Sequence, residues 1–281
     1  MASLQTMMHA NGVDLNVIDT GGGTPALVFL HYWGGSSRTW MPVIGHLAGQ
    51  HRCVAIDFRG WGKSTQTATD HSLATLATDV LAVINKLGLE EFVLLGHSMG
   101  GKVAQLVAAM QPAGLNGLVL FAPAPPTPMS VPEEERRGYV GLYQSRQAIT
   151  DFVLAALTPH ALGDAAREQV IEDTLGGSAA AKEEWPLRGM VTDISAAVSR
   201  ITVPVHVIAG GDDRVEPEAS LRAAFGKVLS QVTLAVVPGV GHIAPLEDPA
   251  RLAEAIRDGV TRTGWRPHGD SNPGYRRERA M

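Results

Sequence analysis

A chain of 281 residues, 45% apolar and 18% charged, is long enough for one large α/β domain or two ordinary ones, with a substantial core. Its net charge of −5, without a long basic stripe, argues against nucleic acid. No apolar run approaches membrane-spanning length, and Cys53, the one cysteine, excludes an internal disulfide.

The opening residues, 1–8, lack the positive and apolar regions of a secretory signal, so a soluble, cytoplasmic protein is expected. From Val13 to Asp19 the apolar residues Val13, Leu15 and Val17 alternate with polar neighbours, as in a half-exposed strand. Ala26 to Leu30 and Cys53 to Ile56 are continuous apolar runs, the pattern of strands buried on both faces. In the second, Cys53 reads as a buried structural thiol. Between them Trp40, Val43, Ile44 and Leu47 mark one helix face. Leu73, Leu76, Ala77, Val80, Leu81, Ile84 and Leu87 keep helical spacing, with Ser72 or Asp70 as cap and Gly88 as stop.

Phe92 to Leu95 is a further buried strand, and it runs into Gly96-His97-Ser98-Met99-Gly100 before a run of small and apolar residues at helical spacing. Glycines suit that sharp turn because they lack a Cβ that would clash across it. The turn exposes the Ser98 hydroxyl while the following amide and the helix N-terminus face any negative charge that forms. Leu118 to Phe121 is the next strand, broken by four prolines between Pro123 and Pro128. Strand signals then vanish from residue 131 to 199, where short helices are predicted near 133–143, 148–157, 164–175 and 180–198. Sheet patterning resumes at residues 204–209 and again at Val232 to Val237, with helices opened by Pro217 and by Asp248-Pro249. The tail, residues 264–281, has almost no apolar side chains and is expected to be disordered.

This alternation predicts an α/β fold: a mostly parallel central sheet, helices on both faces, and a helical lid insertion. The core spans about residues 10–125 and 200–263 and the lid about 126–199, all in one domain. In such sheets ligands gather at the carboxyl ends of strands, and the chemistry-bearing residues sit there: His31 and Trp33, Asp57, Ser98, Asp213 and His242. A serine needs a base to take its proton, and the base needs a third group to orient it. The chain offers these in the order Ser98, Asp213, His242.

That order, together with His31-Tyr32-Trp33-Gly34-Gly35, Asp57-x-Arg59-Gly60-x-Gly62-x-Ser64, the turn around Ser98, Gly210-x-x-Asp213-x-x-x-Pro217 and Gly241-His242, resembles the α/β-hydrolase fold family from about Val13 to Val260. The resemblance implies a serine hydrolase with Ser98 as nucleophile, His242 as base and Asp213, rather than its neighbour Asp212, as the orienting acid. The Met99 and Trp33 N–H groups become the oxyanion-hole donors. Tyr32 stands where the family's commoner His-Gly-x-Gly has its first glycine, so a side chain has to be accommodated there. Tyr32, Trp33 and His97 are the substrate-pocket candidates. Asp57, Arg59, Ser64 and His31 read as residues that brace the loops.

No grouping of His, Cys, Asp and Glu has metal-ligand spacing, and the glycine-rich stretches are turns, so neither metal nor cofactor is expected. A small carboxylic ester is the expected substrate, cleaved through an acyl-serine. C–C bond hydrolysis, lactone opening and cofactor-free perhydrolase or haloperoxidase chemistry use related sites and stay open, as does a small-molecule receptor with a vestigial triad. The expected partner is a small-molecule substrate, without nucleic acid or membrane; a homo-oligomer is compatible with the sequence.

Overall fold

In the computed structural model, which describes residues 4–229 and 232–264, the apolar runs become strands. These are β1 (Leu4–Ala10), β2 (Val13–Asp19), β3 (Ala26–Leu30), β4 (Cys53–Ile56), β5 (Phe92–His97), β6 (Leu115–Phe121), β7 (Val205–Gly210) and β8 (Val232–Val237). They form one sheet in the order β1-β2-β4-β3-β5-β6-β7-β8. The β1–β2 and β2–β4 pairs are antiparallel, and every pair from β4 onward is parallel.

Successive side chains of a strand point to opposite faces, so a strand covered on both sides has to be apolar throughout. In β3, Leu27 and Phe29 pack with Ile44 and Leu47 of α1 (Met41–Leu47) and with Leu252 and Ile256 of α12 (Pro249–Arg262). Val28 and Leu30 face the other way, into the core shared with α2 (Leu73–Lys86) and α3 (Met99–Ala109). Each such side chain, fully buried, contributes about 1.5–3 kcal/mol. Ser72 caps α2 by accepting from the Thr75 amide, and Asp248 caps α12 by accepting from Arg251.

Two elements depart from the sequence reading. β1 is an edge strand whose residues are mostly exposed, so it carries no core-facing alternation for a pattern to detect. β2 is largely buried rather than half-exposed: the polar Asn16 is only 2% exposed, and its side-chain amide donates to Asp57 Oδ2 at 2.8 Å. The alternation seen in sequence there marks a buried hydrogen bond, not a solvent face.

Between β6 and β7 the described residues form helices only. They are α4 (Glu133–Leu142), α5 (Arg146–Ala148), a π-helical turn (Ile149–Val153), α6 (Leu154–Leu157), α7 (Asp164–Gly176), α8 (Ala179–Leu187), a 3₁₀ turn (Gly189–Val191) and α9 (Ser195–Val198). After β7 comes α10 (Glu218–Val228), and α11 (Ala244–Glu247) precedes α12. The tail expected to be disordered lies, beyond Gly264, outside the described residues. Among the described residues no helix is long and apolar enough to cross a membrane.

Candidate active site

Ser98 joins β5 to α3 with φ 53° and ψ −118°, a conformation L-residues rarely adopt. Strain of this kind amounts to about 1–3 kcal/mol and persists only where the surroundings over-determine it. Here they do. The Ser98 amide donates to Phe121 O at 3.2 Å, while its carbonyl accepts from Gly101, Lys102 and Ala124 at 2.9, 3.2 and 3.0 Å. The flanking glycines are required by close approach: a Cβ on Gly96 would lie 2.6 Å from Gly100 O, and one on Gly100 would lie 2.5 Å from His31 O. Gly96→Ala is therefore expected to lower the melting temperature by several degrees, about 1–3 kcal/mol of overpacking. An unchanged thermal melt would contradict this.

Asp213 and His242 come from the loops after β7 and β8. The His242 Nδ1 lies 2.8 Å from Asp213 Oδ2, with both side chains buried. A carboxylate only accepts, so Nδ1 carries the hydrogen and, in the neutral ring, Nε2 keeps a basic lone pair. The other carboxylate oxygen, Oδ1, accepts from the Val215 and Glu216 amides at 2.8 and 3.1 Å. Burial pushes the Asp213 carboxyl up, but the His242 charge and hydrogen bond and the two amides outweigh it and leave the group below the ordinary carboxylate range. Asp212 instead pairs with His160 Nε2 at 3.0 Å near the surface. Ser98 and His242 line one cavity of about 340 Å³, roofed by the inserted helices.

His97, expected among the pocket residues, is absent from that cavity's wall. It is fully buried beneath His242, with ring centroids 5.0 Å apart, and is also packed by Tyr32, Trp40 and Phe121. The strand alternation that exposes Ser98 turns the preceding side chain inward. His97 Nε2 donates to the His242 carbonyl at 2.7 Å, and burial, reinforced by the His242 charge, pushes its pKa well below the usual imidazole value. It is a neutral strut that holds the His242 backbone.

Trp33 follows β3, and Met99 is the first residue of α3. Among the described residues neither backbone N–H has a protein acceptor. Both are thus available to a developing oxyanion. The loop carrying Trp33 is fixed from below by His31: its Nδ1 donates to Tyr32 O at 2.8 Å and its Nε2 accepts from the Phe58 amide at 3.1 Å. The Tyr32 side chain fits because Gly35 makes room; a Cβ there would lie 2.6 Å from the tyrosine ring. Its ring then packs 5.0 Å from His97 and borders the cavity, as does Trp33. Asp57 braces the neighbouring loops by accepting from the Ser37 and Lys63 amides, Ser64 donates to Asp57 O, and Arg59 forks onto Asp79. Among the described residues no group of three or more His, Cys, Asp or Glu side chains is placed to hold a metal ion.

The model of the alpha/beta hydrolase family matches residues 27–255. The chain belongs to the α/β-hydrolase family. This hydrolase is 30% identical over 268 residues to a non-heme chloroperoxidase of Streptomyces lividans, covering 84% of this chain and 92% of that protein. It is 29% identical over 252 residues to a bifunctional esterase/perhydrolase of Acinetobacter calcoaceticus, with coverages of 84% and 91%. Among solved structures, an esterase from Exiguobacterium antarcticum superposes with a TM-score of 0.83 at 22% identity, covering 93% of this chain and 100% of that one.

Two features of this hydrolase's site were not legible in sequence. Glu216, inside the motif that carries Asp213, lines the cavity; a charged residue so close to a strand end was the available signal. The second is a tie between the insertion and the Trp33 loop. Tyr143 stacks on Trp33 at 3.5 Å and donates to Trp33 O at 3.3 Å, and Thr174 Oγ1 donates to Gly34 O at 3.2 Å. Asp173 accepts from Ser36 Oγ at 2.9 Å and from Arg38 at 3.2 Å. Burial lifts the Asp173 carboxyl from 3.8 to about 6, against the lowering pull of Ser36 and Arg38. Because the folded state then holds the proton more tightly than the unfolded chain, Asp173 makes stability fall as pH rises from about 4 to 6. Asp173→Asn removes that slope, so the stability of the variant relative to the wild type is expected to rise across this window and level off above it. Parallel thermal melts from pH 4 to 8 check this; a constant difference contradicts it.

Proposed function

We propose that this α/β-hydrolase cleaves a small carboxylic ester through an acyl-serine intermediate. The observation that carries the reading is the Asp213–His242 pair at 2.8 Å beside a strained, cavity-lining Ser98. His242 Nε2 takes the Ser98 proton as Oγ attacks the carbonyl carbon, and the carbonyl electron pair moves onto oxygen. The Met99 and Trp33 amides receive that charge. Collapse expels the alkoxide, which takes the proton from Nε2, and leaves Ser98 acylated. Water then attacks the acyl carbon by the same route, giving the acid and restoring the hydroxyl.

A cavity of about 340 Å³ suits a small acyl group with an apolar chain. The decisive experiment is a screen of p-nitrophenyl esters of graded chain length, run beside lactones and meta-cleavage diketones. Turnover of the short esters supports the reading, while turnover confined to diketones or lactones overturns it. The kinship with a chloroperoxidase and with an esterase/perhydrolase favours a second reaction at the same site, in which hydrogen peroxide replaces water on the acyl-serine. Peracid formed from an ester and peroxide, and lost together with ester hydrolysis in Ser98→Ala, would establish it.

A further inference from the structure

The wall of the cavity beside Ser98 is mainly apolar, and among the described residues Glu216 supplies its one carboxyl group. Its backbone is anchored where the chemistry is, since the Glu216 amide donates to Asp213 Oδ1. The residue is only 4% exposed, yet among the described residues its carboxyl has no hydrogen-bond partner. Lys102, the buried cation whose charge reaches Glu216, makes no ion pair with it; its ammonium is directed at Thr127 O, 3.4 Å away. Arg214, on the same loop and also in the cavity wall, is exposed. With no protein partner, a carboxyl in the cavity wall leaves its hydrogen-bonding capacity to whatever fills the cavity. Such a group is tolerated when a ligand completes its hydrogen bonding.

Its protonation state decides which ligand. Burial pushes the Glu216 carboxyl up to about 8, the Asp213 charge adds to this, and Lys102 opposes it. At neutral pH the side chain is therefore an acid with an O–H to give. We propose that Glu216 is a specificity-determining residue that donates a hydrogen bond to an uncharged acceptor oxygen of the substrate away from the scissile carbonyl, so that keto- or alkoxy-bearing esters are preferred over plain alkyl esters. The inference rests on the ester-hydrolase reading of Ser98. A site built to pair a polar group rejects the analogue that leaves that group unpaired.

The test uses p-nitrophenyl hexanoate and a set of its analogues in which an ether oxygen replaces one methylene at successive positions. For the wild type, kcat/KM is expected to be about tenfold higher for one of the ether esters than for the hexanoate, the worth of one hydrogen bond. Glu216→Gln, which still has N–H groups to donate, keeps the preference. Glu216→Leu removes or inverts it, the readout being the ratio of ether ester to hexanoate within each protein. Equal ratios in the wild type and Glu216→Leu overturn the proposal. So does a preference for an ammonium-bearing acyl chain that Glu216→Gln abolishes, because that would make the carboxylate, not the acid, the recognition element. If the wild type hydrolyses none of these esters, the ester reading fails separately. Binding of the matched ether and alkyl carboxylic acids, read by tryptophan fluorescence, then still decides about Glu216: equal affinities in the wild type and Glu216→Leu overturn its role.

Discussion

Replacing Ser98 with alanine is expected to lower ester turnover by about four to six orders of magnitude, to the level sustained by binding and oxyanion stabilisation alone. The serine hydroxyl makes no hydrogen bond to the described residues, and alanine occupies the same volume, so the melting temperature should hardly move. A serine-directed phosphonate should add its mass to the wild type and not to the variant. Wild-type turnover in Ser98→Ala, or a phosphonate adduct on another residue, would refute the assignment. A companion substitution separates strain from chemistry. Glycine accepts φ 53° and ψ −118° without the clash that a Cβ brings. Ser98→Gly should thus be equally inactive yet more stable, by up to about 1–3 kcal/mol of released strain. A gain in stability at the cost of all activity is what a residue strained for function predicts.

The second large effect concerns a single proton. Asp213→Asn is expected to lower kcat by about 10⁴ with little change in KM. Asp213 Oδ1 is held by two backbone amides, so an asparagine keeps its carbonyl oxygen there and turns its NH₂ toward His242. The imidazole then has to accept at Nδ1 and carry its hydrogen on Nε2, the atom that should receive the Ser98 proton. The fold should survive, since size and hydrogen-bond count are retained. A kcat within tenfold of the wild type would mean that Asp213 does not set the tautomer. His97 offers no substitute, because its ring is pinned to the His242 carbonyl and kept neutral.

The parts of this molecule that were legible in sequence are those where the local pattern and the tertiary role coincide. Ala26 to Leu30 reads as a strand buried on both faces because it is apolar throughout, and that is its place in the sheet. The Asp213 and His242 positions follow from strand ends, which a chain pattern locates to within a residue or two. What stayed hidden depends on partners distant in sequence. Asn16 looks like a solvent-facing position until Asp57, on another strand end, is brought to it. Leu4 to Ala10 forms a strand because β2 lies beside it, with hardly any core to bury. His97 lies next to Ser98 in the chain, yet strand alternation puts it on the other side of His242 from the cavity. Asp173 and Thr174 sit in a helix with no outward sign that they would reach a loop some 140 residues earlier.

That reach limits how this enzyme can be rebuilt. Helical insertions between two strands invite exchange as cassettes, one chamber ceiling swapped for another to change what fits beneath it. Here the ceiling also holds up part of the floor: Tyr143, Asp173 and Thr174 fasten the loop that presents the Trp33 amide. A graft that replaces the insertion alone would leave Gly34 and Ser36 without their partners in it and the loop around Trp33 unsupported. For recombination, the interchangeable module is therefore discontinuous: residues 33–38 have to travel with the insertion, whatever acyl group the new ceiling is chosen to admit.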